Sequence, residues 1–183
     1  MASQYEGGEN PFDFNHRYRG PFYTEDHEAW RRALRSFLEK EILPYVEEWD
    51  EAGEFPRALY KKAANVGLLG LGYPAEYGGT PVEDSFFQLV TSEEMAQLGA
   101  GGINASLLVH SIGLPPVLAI GSEDLKKRIA PLVLAGEKIH ALAITEPSGG
   151  SDVANIKTRA VLEGLLADIR LTIAASRAED PRP

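Results

Sequence analysis

ALAITEPSGGSDVANIKT, residues 141–158, leads from a β-branched apolar run into a turn dense in proline, glycine and serine, and leaves that turn through Asp152. The run begins slightly earlier, as KIHALAIT (138–145), which is short and apolar and predicts a buried strand. Everything upstream has helical spacing, so the period changes near Gly136. In the loop, glycines let backbone N–H groups turn toward an anion, and Thr145, Ser148 and Ser151 add hydroxyl donors. A pyrophosphate-bearing cofactor suits such a loop. A plain polar turn between two strands explains the same residues.

The helical part opens with YTEDHEAWRRALRSFLEKEILPYVEEWDEAG (23–53), where Trp30, Leu34, Phe37, Ile42, Tyr45, Val46 and Trp49 recur on one face. Thr24 is the expected N-cap, and Glu25 and Asp26 bring negative charge to the positive end of the helix dipole. Pro44 should kink or divide this helix, and Gly53 should end it. A second helix is expected from Pro56 to a left-handed cap at Gly67, followed by a structured glycine- and proline-rich loop. A third starts at Asp84 or Ser85 and stops at Gly99. INASLLVHSIG (103–113) is apolar nearly all round, which predicts a central helix, with Pro115 and Pro116 breaking the chain after it. Ser122 should cap a last helix, in which Pro131 marks a first turn or a kink.

Composition narrows the function. A net charge of −9 over 183 residues disfavours a general binder of nucleic acid, which needs clustered Lys and Arg. The absence of cysteine removes disulfides and thiolate metal sites, and suits a reducing, cytoplasmic setting. No run of 18 consecutive apolar residues occurs, so no membrane span is expected. His16, His27, His110 and His140 lack metal-ligand spacing, so no metal site is expected, and His110 reads as a satisfied core residue. The carboxylates all read as solvated helix faces, and none stands out as a catalytic pair.

Thr145-Glu146-Pro147-Ser148-Gly149-Gly150-Ser151-Asp152 resembles the acyl-CoA dehydrogenase flavin signature [ST]-E-P-x-x-G-S-D at every position. VANIKTRA (153–160) continues the likeness, with Asn155 where glycine is common, and LPYVEEWDEAGEFPRALYKKAANVGLLGLGYPAEYGG, SEEMAQLG and GSEDLKKRIAPLVLAGEKI match in order upstream. The likeness covers roughly residues 22 to 160. It implies a mainly α fold: a polar lead (1–21), a family-type helical bundle (22–137), the first strands of an incomplete β-barrel domain (138–160), and a tail unlike the family (161–183).

The resemblance also implies a chemistry. A carboxylate removes the α proton of an acyl-CoA thioester while the β hydride passes to FAD, and electrons go on to an electron-transfer flavoprotein. On that likeness Leu142, Ile144 and Thr145 border the flavin, and Gly150 and Ser151 lie at its phosphate end. Ser151, Asn104 and Leu108 contact the acyl substrate, although core packing explains Asn104 and Leu108 equally well. The family's catalytic Glu falls beyond this chain, as do its CoA-binding arginine and most of the contacts of its homo-oligomer. The match stops after about Ala160, so the expectation is a truncated copy that binds FAD weakly and is inactive alone. Two readings stay open beside it. One is a non-catalytic helical module that binds an acyl group or a full-length relative; the other is an acyl-CoA oxidase or monooxygenase branch of the same fold.

Overall fold

The structure is a computed structural model that describes residues 22–158, so the polar lead and the tail, with its alternating run from Leu165 to Ile173, lie outside the described residues. It is mainly α-helical. The helices are α1 (Glu25–Glu41), α2 (Val46–Ala52), α3 (Ala58–Asn65), α4 (Phe86–Ala96), α5 (Gly101–Leu107), α6 (His110–Ile120) and α7 (Glu123–Leu134). The chain divides into two compact units, the first ending at Ala141 and the second starting at Leu142.

Local chemistry sets the ends of the first helices. Thr24 caps α1 in a capping box, its hydroxyl accepting from the His27 N–H while His27 Nδ1 accepts from the Thr24 N–H at 2.9 Å. The other ring nitrogen, Nε2, lies 3.1 Å from Asp84 Oδ1 and donates to it, and the same oxygen accepts from the Phe86 N–H at 2.8 Å. One buried histidine therefore joins the starts of α1 and α4. Thr24→Ala is expected to cost about 1 kcal/mol, the usual value of a cap, measured by thermal unfolding against the parent chain. Pro44 sits in a single 3-10 turn, Leu43–Tyr45, that separates α1 from α2, and Gly53 closes α2 at φ 69°.

Two apolar cores hold the first unit. Leu34, Ile42, Leu59, Leu69, Met95 and Leu107 belong to the larger one, where α1 packs on α4. Tyr77, Leu114, Ala130, Val133 and Leu134 form the smaller one, where α6 packs on α7. Each fully buried leucine contributes about 1.5–3 kcal/mol.

Three expectations need correction. Pro115 and Pro116 do not break the chain; they lie inside α6. The carbonyls they leave without a helical donor are those of Ser111 and Ile112, both exposed to water, and a proline φ suits a helix. The expected central helix is two helices, parted at Leu108–Val109, and it is buried on one side only: Ile112 is 60% and Ile120 is 88% exposed. The stretch Gly101–Ile120 has the length and composition to cross a membrane, although a turn at Leu108–Val109 divides it. Finally, KIHALAIT forms no strand among the described residues, and Ile139, Leu142 and Ile144 are 39–45% exposed. No neighbouring strand pairs with it among those residues, and an unpaired apolar segment has no reason to adopt a ladder.

Candidate functional site

The signature loop lies in the second unit and is built around one carboxylate. Glu146-Pro147-Ser148-Gly149 closes a tight turn, with the Glu146 N–H donating to the Gly149 carbonyl and the Gly149 N–H donating to the Glu146 carbonyl, both at 3.0 Å. Proline at the second position presets such a turn. The Glu146 side chain then gathers four donors. Oε1 accepts from Ser148 Oγ at 2.8 Å and the Lys157 N–H at 2.7 Å; Oε2 accepts from the Thr158 N–H at 2.9 Å and Thr158 Oγ1 at 2.6 Å. These bonds, led by the Thr158 hydroxyl, hold the Glu146 carboxyl down to a pKa of about 2. Between the two ends, Val153–Asn155 makes one 3-10 turn, tied by the Asn155 side-chain amide donating to the Asp152 carboxylate. A glycine at position 155 could not make that bond.

The predicted flavin contacts fall on the open part of this loop. Gly150 is half-buried beside Thr145, whose Cγ2 would lie 3.6 Å from a Cβ added at Gly150, an ordinary contact. Ser151 and Thr145 are exposed, and among the described residues neither Gly150 nor Ser151 takes part in a hydrogen bond. Gly149 has its N–H committed to the turn, and neither Gly149 nor Gly150 adopts a left-handed backbone. The donors that remain are those of Thr145, Gly150 and Ser151, next to apolar Leu142 and Ile144. That set suits an amphipathic ring carrying a pyrophosphate arm, so the residues fit FAD.

Asn104 and Leu108 lie in the first unit, one helical turn apart, with the Leu108 N–H donating to the Asn104 carbonyl at 3.1 Å. Both are half-buried, and Leu108 rests against the larger core. The Asn104 side chain has no hydrogen-bond partner among the described residues. Neither residue lines the cavity of about 330 Å³ between Trp49, Phe55, Tyr60 and Ile103, nor that of about 520 Å³ between Trp30, Thr80 and Phe87. His110 is a core residue: its Nε2 donates to the Leu69 carbonyl at 3.0 Å, and burial pushes its pKa down.

Two carboxylates escaped the sequence reading. Glu94, on α4, is only 1% exposed and receives a two-pronged contact from Arg35 (Nε 2.9 Å, Nη2 2.8 Å) plus Arg31 Nη1 at 3.0 Å. Spacing hints at half of it, since Arg31 and Arg35 are four apart on one face of α1, but their pairing with Glu94 across 63 and 59 residues has no local signal. Glu146 was read as one letter of a motif, and nothing local assigns it partners eleven and twelve residues on.

A family model described as "Acyl-CoA dehydrogenase, N-terminal domain" matches residues 24–137. The 3-(aryl)acrylate reductase of Clostridium sporogenes is 36% identical over 143 residues, 78% of this chain and 38% of the reductase. The mitochondrial long-chain specific acyl-CoA dehydrogenase of Rattus norvegicus is 32% identical over 177 residues, 88% of this chain and 40% of that enzyme. Among solved structures, a probable acyl-CoA dehydrogenase from Mycobacterium abscessus superposes with a TM-score of 0.70 at 46% identity, covering 77% of this chain and 38% of that one. An acyl-CoA dehydrogenase from Bacillus anthracis complexed with FAD gives 0.68 at 32%, covering 78% and 24%. The chain thus spans about two fifths of the curated relatives it matches. With the helical order, the T-E-P-x-x-G-S-D loop and these matches agreeing, the chain belongs to the acyl-CoA dehydrogenase family.

Proposed function

We propose that this chain forms part of a cytoplasmic flavoprotein that catalyses FAD-dependent α,β-dehydrogenation of acyl-CoA thioesters. Leu142, Ile144, Thr145, Gly150 and Ser151 contribute to the FAD site, and Ser151, Asn104 and Leu108 contribute to the site of the acyl thioester. The observation that carries the reading is the signature loop, which keeps the donors of Gly150 and Ser151 uncommitted while Glu146 ties down its ends. FAD, when bound, supplies the acceptor for the hydride leaving the β carbon. The chain's own part is to bind and orient: Leu142 and Ile144 offer apolar surface to the ring, while the hydroxyls of Thr145 and Ser151 and the Gly150 N–H donate hydrogen bonds. Donors fixed in advance favour the negative charge that accumulates on reduction. Asn104 and Leu108 offer one polar and one apolar contact to an acyl chain. No carboxylate of this chain is assigned as the base that removes the α proton. An electron-transfer flavoprotein is the proposed acceptor, and a homo-oligomer the proposed assembly.

Titration of the full chain with FAD, followed by flavin fluorescence, tests the reading. Saturable quenching is expected, with Ser151→Ala raising the Kd about tenfold, the worth of one hydrogen bond to a charged group. Identical curves for the parent and Ser151→Ala, or no quenching at millimolar protein, would contradict it.

A further inference from the structure

We propose that Glu146 is the positioning residue of the signature loop: its carboxylate closes residues 146–158 into a ring and so fixes where Gly150 and Ser151 face the cofactor. The identity of the ligand rests on the flavin reading above; the geometry does not. Both carboxylate oxygens are fully used, two donors each, and the donors come from opposite ends of the loop: Ser148 beside the turn, and Lys157 and Thr158 at the return. Two of the four are backbone N–H groups, which no substitution at 157 or 158 other than proline removes. Gly150 and Ser151 lie on the span between the clasped ends, and neither takes part in a hydrogen bond among the described residues. Their placement therefore depends on the closure of the ring rather than on bonds of their own. The neighbouring acid, Asp152, cannot substitute, because its carboxylate is engaged by Asn155 within the same span.

The ring favours an ionised carboxylate, since each of its oxygens accepts from one backbone N–H, a group that can only donate. A protonated acid or an amide turns one oxygen position into a donor; the Ser148 or Thr158 hydroxyl beside it can turn to accept, but the backbone N–H there loses its acceptor, which opens one of the two backbone ties. Glu146→Gln should therefore act as a loss of function, although it conserves size. Glu146→Asp keeps the charge but is one methylene shorter, and should retain part of the closure. The Glu146 pKa, lowered from 4.5 to about 2, gives the pH window. A group whose folded pKa is depressed lends its stability above the ordinary value and loses it as pH falls through the folded one. The ring should thus persist at pH values where an ordinary glutamate is already protonated.

The experiment is amide NMR on the full chain, comparing the parent with Glu146→Gln, Glu146→Asp and Thr158→Val, with far-UV circular dichroism of the helical unit as the folding control. In the parent, the Lys157 and Thr158 amides should exchange at least about tenfold more slowly than in Glu146→Gln. Their chemical shifts should hold from pH 7 to pH 3 and change only near pH 2. Glu146→Asp and Thr158→Val should fall between. A second readout, FAD titration of the same variants, should show Glu146→Gln weakening binding about tenfold with partial rescue in Glu146→Asp. Equal amide exchange in parent and Glu146→Gln, or loss of the parent shifts at pH 4–5, would overturn the ring. Amide protection lost without any change in FAD affinity would overturn its positioning role. A parent chain with the protected amides and no FAD uptake would support the ring and overturn the flavin reading instead.

Discussion

Arg35→Met is expected to destabilise the helical unit by about 3 kcal/mol, near the lower end of what removing one partner of a buried ion pair costs. The carboxylate of Glu94 is 1% exposed, whereas the Arg35 side chain is 28% exposed, so the charge left behind cannot turn to water. Arg31 remains at 3.0 Å but lies 2.8 Å from Glu93 as well, so it neutralises Glu94 only in part. The asymmetry separates two explanations. If the pair itself is the stabilising element, Glu94→Met alone should cost as much as Arg35→Met. If an unpaired buried charge is the problem, Glu94→Met should cost less, because Arg31 and Arg35 can both reach solvent or Glu93. In that case the double variant Arg35→Met/Glu94→Met should recover much of the loss, as apolar replacements of buried ion pairs often do. The second pattern is expected. Urea unfolding of the four chains measures the cycle, and an Arg35→Met cost below 1 kcal/mol would show that Glu94 is not held as described.

Gly136→Ala is expected to cost about 3 kcal/mol as well, by a different route. Gly136 has φ +68°, and a Cβ there would lie 2.4 Å from the Tyr60 carbonyl oxygen and 2.8 Å from the Lys61 nitrogen. These are backbone atoms of α3, so no rotamer change relieves the clash. A left-handed backbone costs an alanine about 1–2 kcal/mol, and overpacking adds about 1–3. Gly53 is the internal control: its φ is +69°, with nothing within 4 Å of its added Cβ. Gly53→Ala should show only the backbone contribution, about 1–2 kcal/mol. Thermal unfolding of both variants isolates the clash as their difference, and equal losses would refute the close approach of the α7 end to α3.

What could be read from sequence was whatever depends on near neighbours. Thr24 as cap, the break at Pro44 and the stop at Gly53 need only local geometry, and the structure has all three. The features that escaped depend on groups far apart in the chain. The Glu94 partners lie 59 and 63 residues away on another helix, so its burial follows from how α1 meets α4. The prolines of α6 read as breakers because sequence does not reveal that the orphaned carbonyls face water. KIHALAIT has strand composition, but pairing needs a second strand, and its own residues do not supply one. In the site, donor chemistry and motif spacing single out Thr145, Gly150 and Ser151 in the sequence, and their contact with a cofactor is the proposal made above. Glu146 is not singled out, since its role appears only once the chain has turned back to bring Lys157 and Thr158 to it.

The central claim, that residues 22–158 carry a working share of an acyl-CoA dehydrogenase flavin site, is tested most directly by a chimera. Residues 22–158 of this chain would replace the matching segment of the Bacillus anthracis acyl-CoA dehydrogenase, whose structure holds FAD. The purified chimera is expected to keep its yellow flavin band after free cofactor is removed, and to bleach when acyl-CoA is added. A chimera with the helical circular dichroism of its parent but no retained flavin would contradict the account.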